Sequence, residues 1–132
     1  MILLDTHALV WWVNGDSHLS GRAQKAIDET MKVDGKIFVS VISLWEITLL
    51  TKKGRIELST SIDTWVAHLS EVSGVEFVSI TPDIAIDSVM LPGEFHADPA
   101  DRMIVATARK YKVPVVTADK KILSYKYVKT IW

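Results

Sequence analysis

Apolar and polar positions fall into blocks along the chain, and the period changes from block to block. Ile2 to Leu4 is wholly apolar and meets Asp5 at once, the pattern of a strand buried on both faces. Thr6 to Val13 follows, nearly continuous in apolar side chains from Ala8 onward. It predicts a short helix buried on several sides or used in an interface. Asn14-Gly15-Asp16-Ser17 breaks that run. Ser20 then caps an amphipathic helix to about Lys32, with Ala23, Ala26, Ile27 and Met31 at helical spacing. Asp34-Gly35 is a turn, and Lys36 to Val41 is the second strand.

Ser43-Leu44-Trp45-Glu46 matches a capping box. It predicts a helix ending near Gly54, with Glu46 in the first turn. Arg55 to Leu58 is a connector, and a helix over about Ile62 to Val72 is capped by Thr60 or Ser61. Val75 to Ile80 is the third strand. Thr81-Pro82 opens a helix to about Leu91, in the preferred cap-then-proline order. Pro92-Gly93 and a loop from Glu94 to Ala97 lead to Asp98-Pro99-Ala100-Asp101, a helix start with Asp98 as cap. Ile104, Val105 and Ala108 share the helix face of Asp101, which turns that carboxylate toward the buried side. Val113 to Ala118 is a fourth strand, Lys120 to Ser124 a short turn or helical piece, and Val128 to Trp132 a fifth strand. Alternating strands and helices, with several strands apolar on both faces, predict a three-layer α/β/α domain. Its central sheet is mainly parallel, with about five strands.

Composition narrows this picture. A chain of 132 residues suits one domain spanning 1–132 with a genuine core. No apolar run is long enough to span a membrane. The start lacks a basic segment and is not expected to be a signal peptide. The absence of cysteine excludes disulfides and cysteine–zinc sites and is compatible with a cytoplasmic location. A formal charge of −1 gives no global pull toward nucleic acid, although a local basic rim remains open. Five tryptophans are many for this length and point to core or interface use. Trp11 and Trp12 suit core or dimer packing, Trp65 the core, and Trp45 is open to either use or to stacking on a base.

In a parallel α/β sheet, strand C-termini and helix N-termini share one edge, where ligands bind. Asp5 and Asp119 end the first and fourth strands, and Glu46 and Asp101 lie in first helical turns, so all four map to that edge. Gathered carboxylates repel and rise in pKa unless a cation neutralises them. Hard ions such as Mg²⁺ and Mn²⁺ suit carboxylate and water ligands and serve phosphodiester cleavage. Each acid also has an ordinary explanation. Glu46 and Asp101 fit helix-start roles, and Asp5 and Asp119 fit turns or caps.

Leu3-Leu4-Asp5-Thr6-His7-Ala8, Ser43-Leu44-Trp45-Glu46-Ile47, Asp98-Pro99-Ala100-Asp101-Arg102-Met103-Ile104 and Thr117-Ala118-Asp119 resemble the successive motifs of PIN domains. The resemblance is to the VapC-like toxins of toxin–antitoxin pairs in particular. It covers essentially the whole chain. It implies the three-layer α/β/α fold and a Mg²⁺- or Mn²⁺-dependent endoribonuclease. It assigns the metal-binding and catalytic acids to Asp5, Glu46, Asp101 and Asp119, with Asp98 as a supporting acid and the Thr117 hydroxyl nearby. It also implies a homodimer restrained by a cognate antitoxin. The alternatives are a PIN-type nuclease of RNA processing without an antitoxin, and a catalytically silent binding module.

An RNA substrate needs cations to meet its phosphates. Lys120, Lys121 and Arg102 beside the acids, and the cluster Lys52, Lys53 and Arg55, are the candidates, against solvated surface or ion pairing. His7 and His96 lie near two motifs and suit either proton transfer or a structural role.

Overall fold

The computed structural model describes residues 1–132. Its sheet contains β1 (Ile2–Leu4), β2 (Ile37–Ser40), β3 (Val75–Val78), β4 (Val115–Val116) and β5 (Thr130–Ile131). The strand order is β3-β2-β1-β4-β5, and every pairing is parallel. The helices are α1 (Thr6–Asn14), α2 (Gly21–Lys32), α3 (Val41–Lys52), α4 (Ile62–Ser70), α5 (Pro82–Val89), α6 (Pro99–Tyr111) and α7 (Lys120–Leu123). No helix is long and apolar enough to cross a membrane.

The strand period of two divides the core into layers. Ile2, Leu4, Ile37 and Val39 face one side and pack with Leu9 of α1, Ile27 of α2 and Trp65 and Leu69 of α4. Leu3 and Phe38 face the other side, with Ile104 and Ala108 of α6. Ile84 of α5 joins Val105 and Ile122 in a third cluster outside α6. Trp65 is thus core, as its helical spacing predicts. Helices on both faces of an all-parallel sheet make the expected α/β/α sandwich.

Two local expectations fail. β4 and β5 each keep only two residues; the Val113 amide bonds Ala108 O at 3.1 Å, which ties Val113 to the closing turn of α6 and not to a neighbouring strand. The larger correction concerns α3. It begins at Val41, with Ser40 as the cap whose hydroxyl accepts from the Ile42 amide. Val41 and Ile42 are β-branched and suit a strand by intrinsic preference, but the turn out of β2 overrides that preference. Ser43 is therefore inside the helix, fully buried, and its hydroxyl accepts from Thr6 Oγ1 at 3.2 Å. Glu46 falls in the second turn and caps nothing.

Four of the remaining helix starts follow the sequence. Ser20, Ser61, Asp98 and Asp119 each accept a hydrogen bond from an amide of the following turn. A cap of this kind is worth about 1 kcal/mol. Thr81 precedes Pro82 but makes no such side-chain bond.

Candidate metal centre in an acidic cleft

The C-terminal ends of β1 and β4, at the middle of the sheet, deliver Asp5 and Asp119 to one edge. The helices rising from that edge add the other acids. Asp5, Glu46, Asp98, Asp101 and Asp119 line a single cleft of about 410 Å³, together with Thr6, His7, Trp11 and Ala118. Elements at opposite ends of the chain thus present five carboxylates to one volume, as edge geometry predicts.

The five are held differently. Asp5 is 7% exposed and caps α1, where Oδ1 accepts from the Ala8 amide at 3.0 Å. Its Oδ2 accepts from the buried Thr117 hydroxyl, which in turn accepts from the Asp119 amide at 3.0 Å. Thr117 therefore orients Asp5 and couples it to the start of α7. Burial raises the pKa of Asp5, against the lowering effect of these hydrogen bonds. Asp119 caps α7 through the Lys121 amide at 2.7 Å, and Asp98 caps α6 through the Asp101 amide at 2.9 Å. Glu46 is half-buried and makes no hydrogen bond or ion pair of its own.

Asp101 is perturbed without comparable hydrogen-bond support. Its pKa is pushed up to about 7, first by burial and then by repulsion from Asp98, Asp119, Glu46 and Asp5. His96 Nε2 lies 2.9 Å from Asp101 Oδ2. That nitrogen is buried and makes no well-aligned hydrogen bond, so the contact is a close off-axis approach. A carboxylate at this cost to its ionisation needs a further positive partner.

The donor set consists of carboxylate oxygens, with no thiol and no histidine pair at hand, and so suits a hard divalent ion. No three of these side chains converge at ligand distance of one point. The spacing fits an ion held by one or two carboxylates with water filling its other positions, as Mg²⁺ prefers, and does not fit a closed protein cage.

The cationic candidates separate. Arg102 is a correction: it does not face the cleft as a phosphate ligand. Its Nε donates to Ser88 O at 2.7 Å, Nη1 to Phe95 O at 2.7 Å and His96 O at 3.0 Å, and Nη2 to Val89 O at 3.1 Å. It clamps the loop that carries His96 onto α6. Lys52 closes α3 and Lys53 caps it, at the end away from the cleft, roughly 9 Å along the axis from Glu46 by helical rise. Neither they nor Arg55 line the acidic cleft. Lys120 and Lys121 are exposed and unpaired at the start of α7.

His7 is exposed on the cleft wall, and Trp11 lines the same wall. Trp11 stacks on His18 at 5.4 Å and meets Trp132 at 5.7 Å, while Trp45 is 58% exposed. Three contributions escape the sequence reading: Thr6 on the cleft wall, the clamp made by Arg102, and the shielding of Trp11. Only the first leaves a trace there, because Thr6 directly follows Asp5 at a strand end.

The PIN domain family model matches residues 2–127, nearly the full fold just described. The chain belongs to the PIN-domain family. Ribonuclease VapC22 of Mycobacterium tuberculosis is 35% identical to it over 133 aligned residues, covering 99% of this chain and 98% of the relative. The crystal structure of VapBC2 from Rickettsia felis, bound to a DNA fragment from their promoter, superposes with a TM-score of 0.69. The two are 17% identical over 98% of this chain and 97% of that one. VapC20 of M. tuberculosis, described as a sarcin-ricin loop cleaving toxin, gives 0.65 at 17% identity over 98% and 99%. At such identities the two structures speak for the fold.

Proposed function

We propose that all 132 residues form one PIN domain that is a metal-dependent endoribonuclease and the toxin of a toxin–antitoxin pair. The observation that carries this reading is the convergence of Asp5, Glu46, Asp98, Asp101 and Asp119 on one cleft, with Asp101 raised to about 7 by burial and then by the other acids. The similarity to a ribonuclease and to VapBC and VapC toxin structures supports the choice of RNA and of an antitoxin partner, and the reading implies action in the cytoplasm, where RNA is met.

Asp5, Glu46, Asp101 and Asp119 would surround Mg²⁺ or Mn²⁺, one or two of them as direct ligands and the others through bound water, with Asp98 in support. Such an ion supplies an activated water and neutralises charge on the phosphate under attack. Thr117 holds the Asp5 carboxylate in place by donating to Oδ2. Asp98 orders the first turn of α6 and so aims Asp101. Arg102 seats His96 against Asp101, where the imidazole can move a proton. Lys120 and Lys121 stand beside Asp119 for the phosphates of the strand.

Asp5→Asn should reduce Mn²⁺-dependent cleavage of total cellular RNA by about a thousandfold or more, the loss of roughly 4 kcal/mol of transition-state stabilisation. Circular dichroism of the variant should be unchanged. Cleavage by Asp5→Asn at the wild-type rate would overturn the assignment. A homodimer is the second part of the reading. Ile86 and Val89 of α5 and Met90, the residue that closes it, are 63%, 71% and 73% exposed and leave an apolar surface without a partner. Light scattering should report twice the mass of 14.8 kDa, and a monomer for Val89→Glu. A monomeric wild type at micromolar concentration would overturn the dimer.

A further inference from the structure

A second cleft, about 530 Å³ in volume, adjoins the acidic one. Two residues join them. His96 lines the second cleft and touches Asp101 of the first, and Lys121 lines the second while its amide bonds the Asp119 carboxylate. The chemistry changes across that junction. The acidic cleft offers only carboxylates as charged oxygen groups, whereas its neighbour sets Lys121 and Lys126 against the single acid Glu94. No acid lies within ion-pair distance of either lysine.

The walls are aromatic. His96 packs on Phe95 with ring centroids 4.6 Å apart, Phe95 on Tyr125 at 4.9 Å, and Tyr125 on Tyr127 at 5.5 Å. The row is fixed from behind. The Tyr125 hydroxyl donates to Pro92 O, and Arg109 Nη1 donates to Tyr127 O at 2.6 Å. Gly93, at φ +65°, lets the Tyr127 ring approach so closely that an added Cβ would meet it at 3.0 Å. Tyr125 is 6% exposed and serves as packing, but Tyr127 at the outer end is 40% exposed. Lys126 Nζ lies 5.1 Å from the Tyr127 ring centroid and is on an exposed side chain free to leave it. By contrast, Trp11 on the opposite wall of the acidic cleft is covered by His18 and Trp132 and has no lysine beside it.

We infer that this second cleft binds a nucleotide of single-stranded RNA flanking the bond to be cut, with its base stacked on Tyr127 and its phosphates met by Lys121 and Lys126. The inference rests on the ribonuclease reading and extends it to a substrate path. A fixed, partly exposed aromatic ring beside two unpaired lysines is the pairing by which single strands are held: every base has a π-face, and every nucleotide has a phosphate. A protein segment would meet Lys121 and Lys126 only where it carries acidic side chains, whereas every nucleotide of a single strand brings a phosphate. The acidic cleft repels RNA in the absence of ions, so a cationic approach next to it also offsets that repulsion.

The test uses the full chain, a short labelled single-stranded RNA of mixed sequence and a duplex of the same sequence. Tyr127→Leu keeps apolar packing on Gly93 but removes the π-face, Tyr127→Phe keeps the face, and Lys126→Glu changes only an exposed side chain. Tyr127→Leu and Lys126→Glu should each weaken single-strand binding by about tenfold, and Tyr127→Phe by less than about twofold. Duplex binding should be insensitive to Tyr127→Leu. In cleavage of total RNA, KM should rise about as much, with kcat retained. Wild-type binding and cleavage by Tyr127→Leu and Lys126→Glu would overturn the inference, as would a loss confined to Lys126→Glu or one equal for duplex. If those two variants cut RNA normally but escape neutralisation by coexpressed antitoxin, the cleft belongs to that protein and the inference is overturned. A wild-type protein that cuts no RNA at all, like Asp5→Asn, would instead remove the ribonuclease reading on which it rests.

Discussion

Asp5 and Asp101 line the same cleft, and burial raises the pKa of both. Their support differs. Asp5 receives hydrogen bonds on both oxygens and caps a helix. Asp101 has only the off-axis approach of His96 and the repulsion of four other acids. Asp5, Asp98 and Asp119 are woven into the fold as caps, whereas Glu46 and Asp101 carry charge that the fold leaves uncompensated. The difference shows how a structural and a chemical role can be told apart. A carboxylate that contributes about 1 kcal/mol as a cap explains its own presence. One that is desolvated without such a bond does not.

The widest test of this contrast sets activity against stability. Glu46→Gln and Asp101→Asn should lose RNA cleavage about as fully as changes at Asp5. Asp101→Asn should nonetheless raise the metal-free unfolding free energy by about 1–2 kcal/mol after solvent screening is allowed for. Asp5→Ala should lower it by a similar amount through loss of the cap. Urea unfolding in a chelator measures both, and destabilisation by Asp101→Asn would dissolve the distinction.

A smaller effect lies in the pH dependence. The Asp101 carboxyl ionises near 7 in the folded chain and near 3.8 when unfolded, so the folded state holds the proton longer. Its contribution to stability is complete below about 4, declines as the pH rises and is gone above about 7. Metal-free protein should therefore unfold at a lower temperature at pH 8 than at pH 5. Asp101→Asn should flatten that slope by differential scanning fluorimetry, and an unchanged slope would remove Asp101 as its source.

The order of elements was legible because each strand is bounded by turn residues and each amphipathic helix keeps its period. The edge position of the acids followed from the parallel sheet alone. Glu46 was misplaced within its helix for a local reason: Ser43 and Glu46 form a plausible cap, but Ser40 closes β2 and opens α3 at once. Arg102 could not be read, because its partners are backbone carbonyls of α5 and the following loop, which carry no residue-type signal. Tyr127 could not be read either, because its place in one cleft with His96 depends on contacts between distant segments.

The Thr117–Asp5 bond joins residues 112 positions apart, and β4 pairs directly with the central strand β1. During synthesis, the N-terminal half can pair β1 with β2 early, but the other flank of β1 stays open until β4 has left the ribosome. Closing so long a loop comes late in folding, since its entropy is recovered only when β4 docks. The growing chain therefore stays without a completed cleft until β4 has emerged and docked. A protein that destroys RNA would in this way be harmless to the very message and ribosome producing it.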